Sequence, residues 1–256
     1  MNSIRRHNSL RAFALLLFTA ILAGCALSQQ KLPASSIEAA TTPPSRNTTI
    51  ALLGATGMSG GYILREALAR GYRVRALSRS PEKLAYLSNR IEVVVGDARD
   101  PGTIATLLAG SDVIVSAIGP SARAPTDLNS QTTANVIAAM SITTARPYLV
   151  VTGAAVELEQ DHRTMTGWWV RQLALIRYPN LVRDRQLEYG LLAQSDVPWT
   201  LIRCPLINAT DGEGSATASL ETPPGTLLRA GELARFIVDE IERGNYVQMA
   251  PFIASE

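Results

Sequence analysis

Three glycines spaced three apart, Gly54, Gly57 and Gly60, stand between a short apolar run, Ile50 to Leu53, and a segment of helical composition from Tyr62 to Arg70. Strand, glycine turn and helix in that order make a turn suited to a pyrophosphate. Gly54 lets the chain turn tightly, Gly57 lets backbone approach a phosphate with no Cβ in the way, and Gly60 lets helix and strand pack closely. Free N–H groups at the helix N-terminus then face the negative charge. Thr56, Met58 and Ser59 belong to the same candidate site. Any strand-to-helix turn favours glycine, so the flanking elements must decide. Farther on, Ala76-Leu77-Ser78-Arg79 ends a second apolar run without an acid. A site for a free ribose 2′-OH wants Asp or Glu about 20 residues past the first glycine, whereas a guanidinium suits a phosphate. The spacing therefore points to NADP rather than NAD.

Apolar runs recur at regular intervals: Tyr72 to Leu77, the β-branched Ile91 to Val95, Asp112 to Ile118, Tyr148 to Val151, and Trp199 to Arg203. Between them lie helical stretches. Ser80-Pro81 and Asp100-Pro101 each read as an N-cap followed by Pro at the first helical position. Further helices are predicted over Leu128 to Met140, near Asn180 to Gln194, and over Glu232 to Arg243, where Leu233, Phe236, Ile237 and Ile241 make one apolar face. Alternation of this kind predicts a doubly wound, Rossmann-like parallel sheet in a single α/β domain over 48–256. Ligands on such sheets sit beyond the strands' carboxyl ends. That rim would gather the glycine turn, Arg79, Asp97-Ala98, Ala117, Gly119, and Thr152 with Gly153.

The N-terminus reads as an address. Arg5, Arg6 and Arg11 precede an apolar stretch from Ala12 to Ala23, then Leu22-Ala23-Gly24-Cys25. The stretch is shorter than the roughly 20 residues a spanning helix needs. The pattern resembles a bacterial lipoprotein signal, which implies removal of 1–24, a lipid on Cys25, and a flexible tether over 25–47, rich in Ser, Thr, Pro and Ala. Ala26 after the Cys implies the outer membrane, facing the periplasm. Without residues 1–24 the basic count falls from 24 to 21 against 22 acids, so the formal charge moves from +2 to −1. With basic residues scattered among acidic ones, a nucleic-acid partner is excluded. Cys204, the other cysteine, reads as a buried strand-end thiol.

Taken together, Gly54-Ala-Thr-Gly-Met-Ser-Gly60, Arg79, Val95-Gly-Asp97, Ser116-Ala-Ile-Gly119, Val151-Thr-Gly153 and Ser195 to Pro205 resemble the atypical, NmrA-like short-chain dehydrogenase/reductases, in particular the NAD(P)-binding group that includes biliverdin-IXβ/flavin reductase. The resemblance spans about 48–250. It implies that the glycine turn holds the pyrophosphate, Arg79 the 2′-phosphate of NADP, and Asp97 the adenine, and that the activity is reduction of a small planar molecule.

The chain departs from the usual dehydrogenase pattern. That chemistry uses a Tyr acidified by a Lys four residues later, and the lysines here are Lys31 and Lys83, neither so placed. Thr152 and Tyr189 are the candidates that remain for a catalytic hydroxyl, with Tyr189 one turn after Arg185 and facing the site. Asp184 and Glu188 read as helix surface. Hydride transfer to a flavin or quinone needs positioning more than acid catalysis. The segment Asp161-His162-Arg163 to Trp168-Trp169 would form a substrate loop, although a lone His is more often solvated and a Trp pair more often core. No spacing of His, Cys or carboxylates suggests a metal site. A non-catalytic nucleotide-binding lipoprotein, a sensor or assembly protein of the envelope, is the competing reading, because free NADPH is a cytoplasmic currency.

Overall fold

The computed structural model describes residues 46–121 and 124–256. The signal, Cys25 and nearly all of the tether lie outside the described residues. Arg46, which the sequence assigns to the tether, already docks on the domain: it pairs with Glu242 at 3.0 Å and lies over the Tyr72 ring.

Six parallel strands carry the fold: β1 (Thr49–Leu53), β2 (Arg73–Ser78), β3 (Glu92–Val95), β4 (Val113–Ser116), β5 (Tyr148–Gly153) and β6 (Trp199–Cys204). They lie in the order β3-β2-β1-β4-β5-β6, continued by β10 (Phe252–Ser255), parallel to β6, and by the antiparallel β8 (Ala216–Ser219). A separate parallel pair joins β7 (Leu206–Asn208) and β9 (Leu227–Arg229). The chain returns to the middle of the sheet between β3 and β4, so strand order reverses across β1 and β4. That reversal opens a crevice at their carboxyl ends.

Helices cover both faces, which is why β1 is apolar from Ile50 to Leu53 rather than alternating. Ile50 and Leu52 point to one core, with α1 (Met58–Ala69) and α6 (Ala230–Arg243); Ala51 and Leu53 point to the other, with α2 (Pro101–Leu108), α3 (Leu128–Met140) and α5 (Pro179–Ala193). Leu233 and Ile237 of α6 are fully buried, and Phe236 and Ile241 pack beside them. Asp100 caps α2 as its type suggests, accepting the Thr103 N–H at 2.7 Å. Ser80 does not: Pro81–Leu87 is a 3₁₀ helix, and no side chain caps it. The sequence patterns also miss α4 (Met165–Arg177) and the four short strands β7 to β10, each too brief to show a period. Among the described residues no helix is long and apolar enough to cross a membrane.

Candidate functional site

The turn after β1 is made by backbone. Gly54 sits at φ +85°, a region that favours glycine, and a Cβ there would lie 2.6 Å from the Ala117 carbonyl oxygen at the exit of β4. A Cβ on Gly60 would run into the carbonyl group of Gly54, so α1 leans directly on the strand end. Gly57 is the N-cap of α1, and its N–H donates to the Gly54 carbonyl at 2.8 Å. No side chain caps α1 and its first turn carries no acid, which leaves the leading N–H groups at Met58, Ser59 and Gly60 directed toward the crevice. An uncapped helix start with a positive dipole end is a fit for phosphate.

On the β2–β3 side, Arg79 is exposed immediately after the last residue of β2, where Ser78 is buried and its Oγ accepts the Ser80 N–H. Asp97, half-buried after β3, accepts the Arg99 N–H at 2.9 Å and meets its guanidinium at 3.5 Å. The Arg99 N–H is the main cause that holds this carboxyl below its ordinary range; burial opposes it, and the charges of Arg99 and Arg79 add to it. Asp97 is thus a turn residue whose charge also lies within reach of Arg79. Ala98 is buried, and its carbonyl accepts from Asn135.

Across the crevice stand the ends of β4 and β5. Ala117 is buried, while Gly119 and Gly153 are exposed and a Cβ on either would meet nothing within 4 Å. Thr152 is buried beside that open space. Its Oγ1, with Asn129 Oδ1 and Thr132 Oγ1 of α3, has no hydrogen-bond partner among the described residues. Buried polar atoms are normally paired, so each of these oxygens has capacity for a further polar partner.

Asp184 and Glu188 depart from their expected place on the helix surface: they are 3 % and 1 % exposed. Asp184 accepts the N–H and side-chain amide of Asn129 and the N–H and hydroxyl of Ser130, capping α3 from 55 residues away; the nominal N-cap, Asp127, makes no side-chain cap bond. Arg185 bonds Glu188 at 2.7 Å and donates to the Ile118 carbonyl, which fixes the chain just before Gly119. Burial pushes the Glu188 carboxyl up and Arg185 pulls it back. The available signal was α5 itself, whose charged residues Arg183, Asp184, Arg185 and Glu188 spread over more than half its circumference, so that some must face the sheet it covers.

Tyr189 lies one turn farther along α5 than Arg185, and the charges of Arg203 and Asp161 reach its hydroxyl. Its ring stacks edge to face on Trp199, the first residue of β6, in a cavity of about 480 Å³ bordered also by Leu158, Gln248 and Met249. The segment after β5 is clamped rather than open. Asp161 bonds Arg203 Nη1 with both carboxylate oxygens at 2.7 Å and Arg163 at 3.2 Å, and the Arg203 guanidinium lies 3.5 Å from the Phe252 ring centre. His162 is exposed, with its N–H on the Glu221 carbonyl. Trp168 and Trp169 are neither core nor folded over the rim residues described above; they are exposed on α4.

The sequence matches the model of a family described as NAD(P)H-binding over residues 54–243. Among curated proteins, photosystem II assembly factor Ycf39 of Cyanophora paradoxa is 39% identical over 80 residues, 31% of this chain and 24% of that protein. Divinyl chlorophyllide a 8-vinyl-reductase of Zea mays is 34% identical over 98 residues, 35% of this chain and 24% of that protein. These matches span about a quarter of the relatives' length. Among solved structures, a candidate exported protein of Burkholderia pseudomallei is 27% identical with TM-score 0.63, covering 81% of this chain and all of that one. ChuY, an anaerobillin reductase of Escherichia coli O157:H7, has TM-score 0.68 at 20% identity over 81% and 97% of the two chains. A short-chain dehydrogenase/reductase of Veillonella parvula in complex with NADP has TM-score 0.64 at 16% identity over 81% and 94%. The last two establish likeness of fold.

Proposed function

Because the chain belongs to the NAD(P)H-binding family, we propose that it is an NADPH-dependent reductase of a planar acceptor such as a flavin or quinone, carried on the envelope by a lipid at Cys25. The observation that carries this reading is the uncapped start of α1 at the strand reversal, with Arg79 exposed where β2 ends without an acid. Gly54, Thr56, Gly57, Met58, Ser59 and Gly60 would hold the pyrophosphate, Arg79 the 2′-phosphate, and Asp97 and Ala98 the adenine side. Ala117, Gly119 and Thr152 would border the nicotinamide, with the Thr152 hydroxyl free to orient a polar group there. Bound NADPH supplies a hydride. With no Tyr-x-x-x-Lys acid in the chain, the acceptor must be one that takes its proton from water. The Zea mays reductase among the relatives supports the reaction class.

The purified chain, mixed with NADPH and a panel of flavins and quinones, should oxidise NADPH slowly and leave simple ketones untouched. Clean reduction of an unactivated ketone would refute the mechanism. Binding of NADPH without turnover on any flavin or quinone would favour the second reading, a non-catalytic assembly or sensor lipoprotein. The match to a photosystem II assembly factor supports that alternative.

The anchor is inferred from Leu22-Ala23-Gly24-Cys25, and the exported Burkholderia relative supports the envelope placement. Cys25→Ser should leave the chain unprocessed. If it fractionates and is processed as wild type, the anchor is wrong.

A further inference from the structure

Among its described residues helix α4 has none that is fully buried, and it leaves much of its apolar surface outside. Toward the domain it makes polar contacts: Arg171 Nε donates to the Ala155 carbonyl at 3.2 Å and its guanidinium pairs with Glu157 at 2.7 Å. Toward solvent it presents Met165, Trp168, Trp169, Val170 and Ile176, which are 44–79 % exposed. Met165, Trp169 and Ile176, at i, i+4 and i+11, lie along one stripe. The two indoles meet edge to face with centroids 4.9 Å apart. An ordinary surface helix turns its apolar stripe inward, and a contiguous exposed apolar patch marks a surface that something covers.

Three observations identify what covers it. From Met165 to Arg183 the chain has three arginines, Arg171, Arg177 and Arg183, and no acid. Arg177 and Arg183 are exposed, and Arg177 stacks on Tyr178 at 4.8 Å. Tryptophan and tyrosine beside arginine, over an aliphatic stripe, is the composition of helices that lie in a membrane interface. Finally, Cys25 lies 21 residues before Arg46, where the chain docks on the domain. Even at full extension 21 residues span no more than about 75 Å, so a domain held at Cys25 stays close to the bilayer.

We propose that α4 seats on the phospholipid surface as a second, non-covalent attachment. Met165, Trp169 and Ile176 enter the acyl boundary, and Arg177 and Arg183 meet headgroup phosphates. The closeness of the bilayer rests on the lipid anchor proposed above; the seating of α4 is read by a separate signal.

The chain has three tryptophans, and Trp199, 5 % exposed, is an internal control. Membrane-isolated protein is reconstituted into vesicles of phosphatidylethanolamine and phosphatidylglycerol containing acyl-brominated phosphatidylcholine. An apolar face about 5–10 Å deep should lose about half its tryptophan emission to bromines near the headgroups, and less to bromines deep in the chain. Trp168→Phe with Trp169→Phe should lose less than about a tenth, because only Trp199 remains. Ile176→Glu should weaken the quenching, whereas Ile142→Glu, an exposed apolar residue after α3, should not. Equal quenching of wild type and the double variant overturns the seat. So does a protein that co-sediments with vesicles unquenched, one that fails to co-sediment, or a stable dimer whose tryptophans are shielded by a second copy. The two attachments are read separately: processing and fractionation of Cys25→Ser test the anchor, and quenching of the Trp168/Trp169 pair tests the seat.

Discussion

The two halves of the rim are built from different materials. Between β1 and β3 the crevice is backbone: a glycine turn, an uncapped helix start and carbonyls so close to Gly54 and Gly60 that no Cβ fits, with Arg79 and Asp97 added at the edge. Beyond β4 the architecture is held by buried charge. Arg203 and Asp161 lock the post-β5 segment to the sheet, Asp184 caps α3 from α5, and Arg185 with Glu188 braces the exit of β4. A backbone site depends on which residues can adopt a conformation. A charge-clamped one depends on which side chains meet, and it tolerates no unpaired partner. The first half should therefore answer mutation in ligand affinity and the second in stability.

The largest effect is expected from Arg203→Met. Arg203 is wholly buried and Asp161 nearly so, and removing one partner of such a pair typically costs about 3–5 kcal/mol. Urea unfolding should show this loss, while the preference of the folded fraction for NADPH over NADH stays within about twofold, because Arg79 after β2 lies four strands away from β6. If that preference collapses and stability does not, the division between halves is wrong. Arg79→Ala tests the other half: loss of a charged hydrogen bond to phosphate is worth about 1.5–3 kcal/mol, so NADPH should bind roughly 10- to 100-fold more weakly and NADH almost as before. Equal loss for both nucleotides removes Arg79 from its role. Gly60→Ala sharpens the contrast, since its methyl group meets the Gly54 carbonyl and forces α1 off the strand. An overpacking cost of about 1–3 kcal/mol is expected, with both nucleotides weakened alike in a fluorescence titration.

The smallest effect concerns Asp97. Its folded pKa is lowered, so its contribution is present above its ordinary value near 3.8 and is lost as pH falls through the folded value. The partner Arg99 is 3.5 Å away and the pair is part-exposed, which limits the gain to about 0–1 kcal/mol. Asp97→Asn should therefore unfold slightly earlier than wild type near pH 6 and alike near pH 3. A difference that grows toward acid would contradict the sign.

What could be read in the sequence follows the same division. The glycine spacing, the apolar run of β1 and the missing acid after β2 are local, because φ, strand burial and helix capping are set by a few adjacent residues. They sufficed for the doubly wound sheet and for the positions of Gly54 to Gly60, Arg79 and Gly119 on one rim. Asp184 capping a helix 55 residues earlier, Arg203 reaching Asp161, and Tyr189 turning to Trp199 have no local signature. Nor does the outward apolar stripe of α4, because a helical period states that one face is apolar and not which way it faces. Orientation of a helix and the pairing of buried charges are decided when elements pack, by which arrangement leaves fewest polar groups without a partner. Sequence alone determined the fold and the backbone of the glycine-turn rim; tertiary structure decided where the charged and aromatic side chains of the second half went.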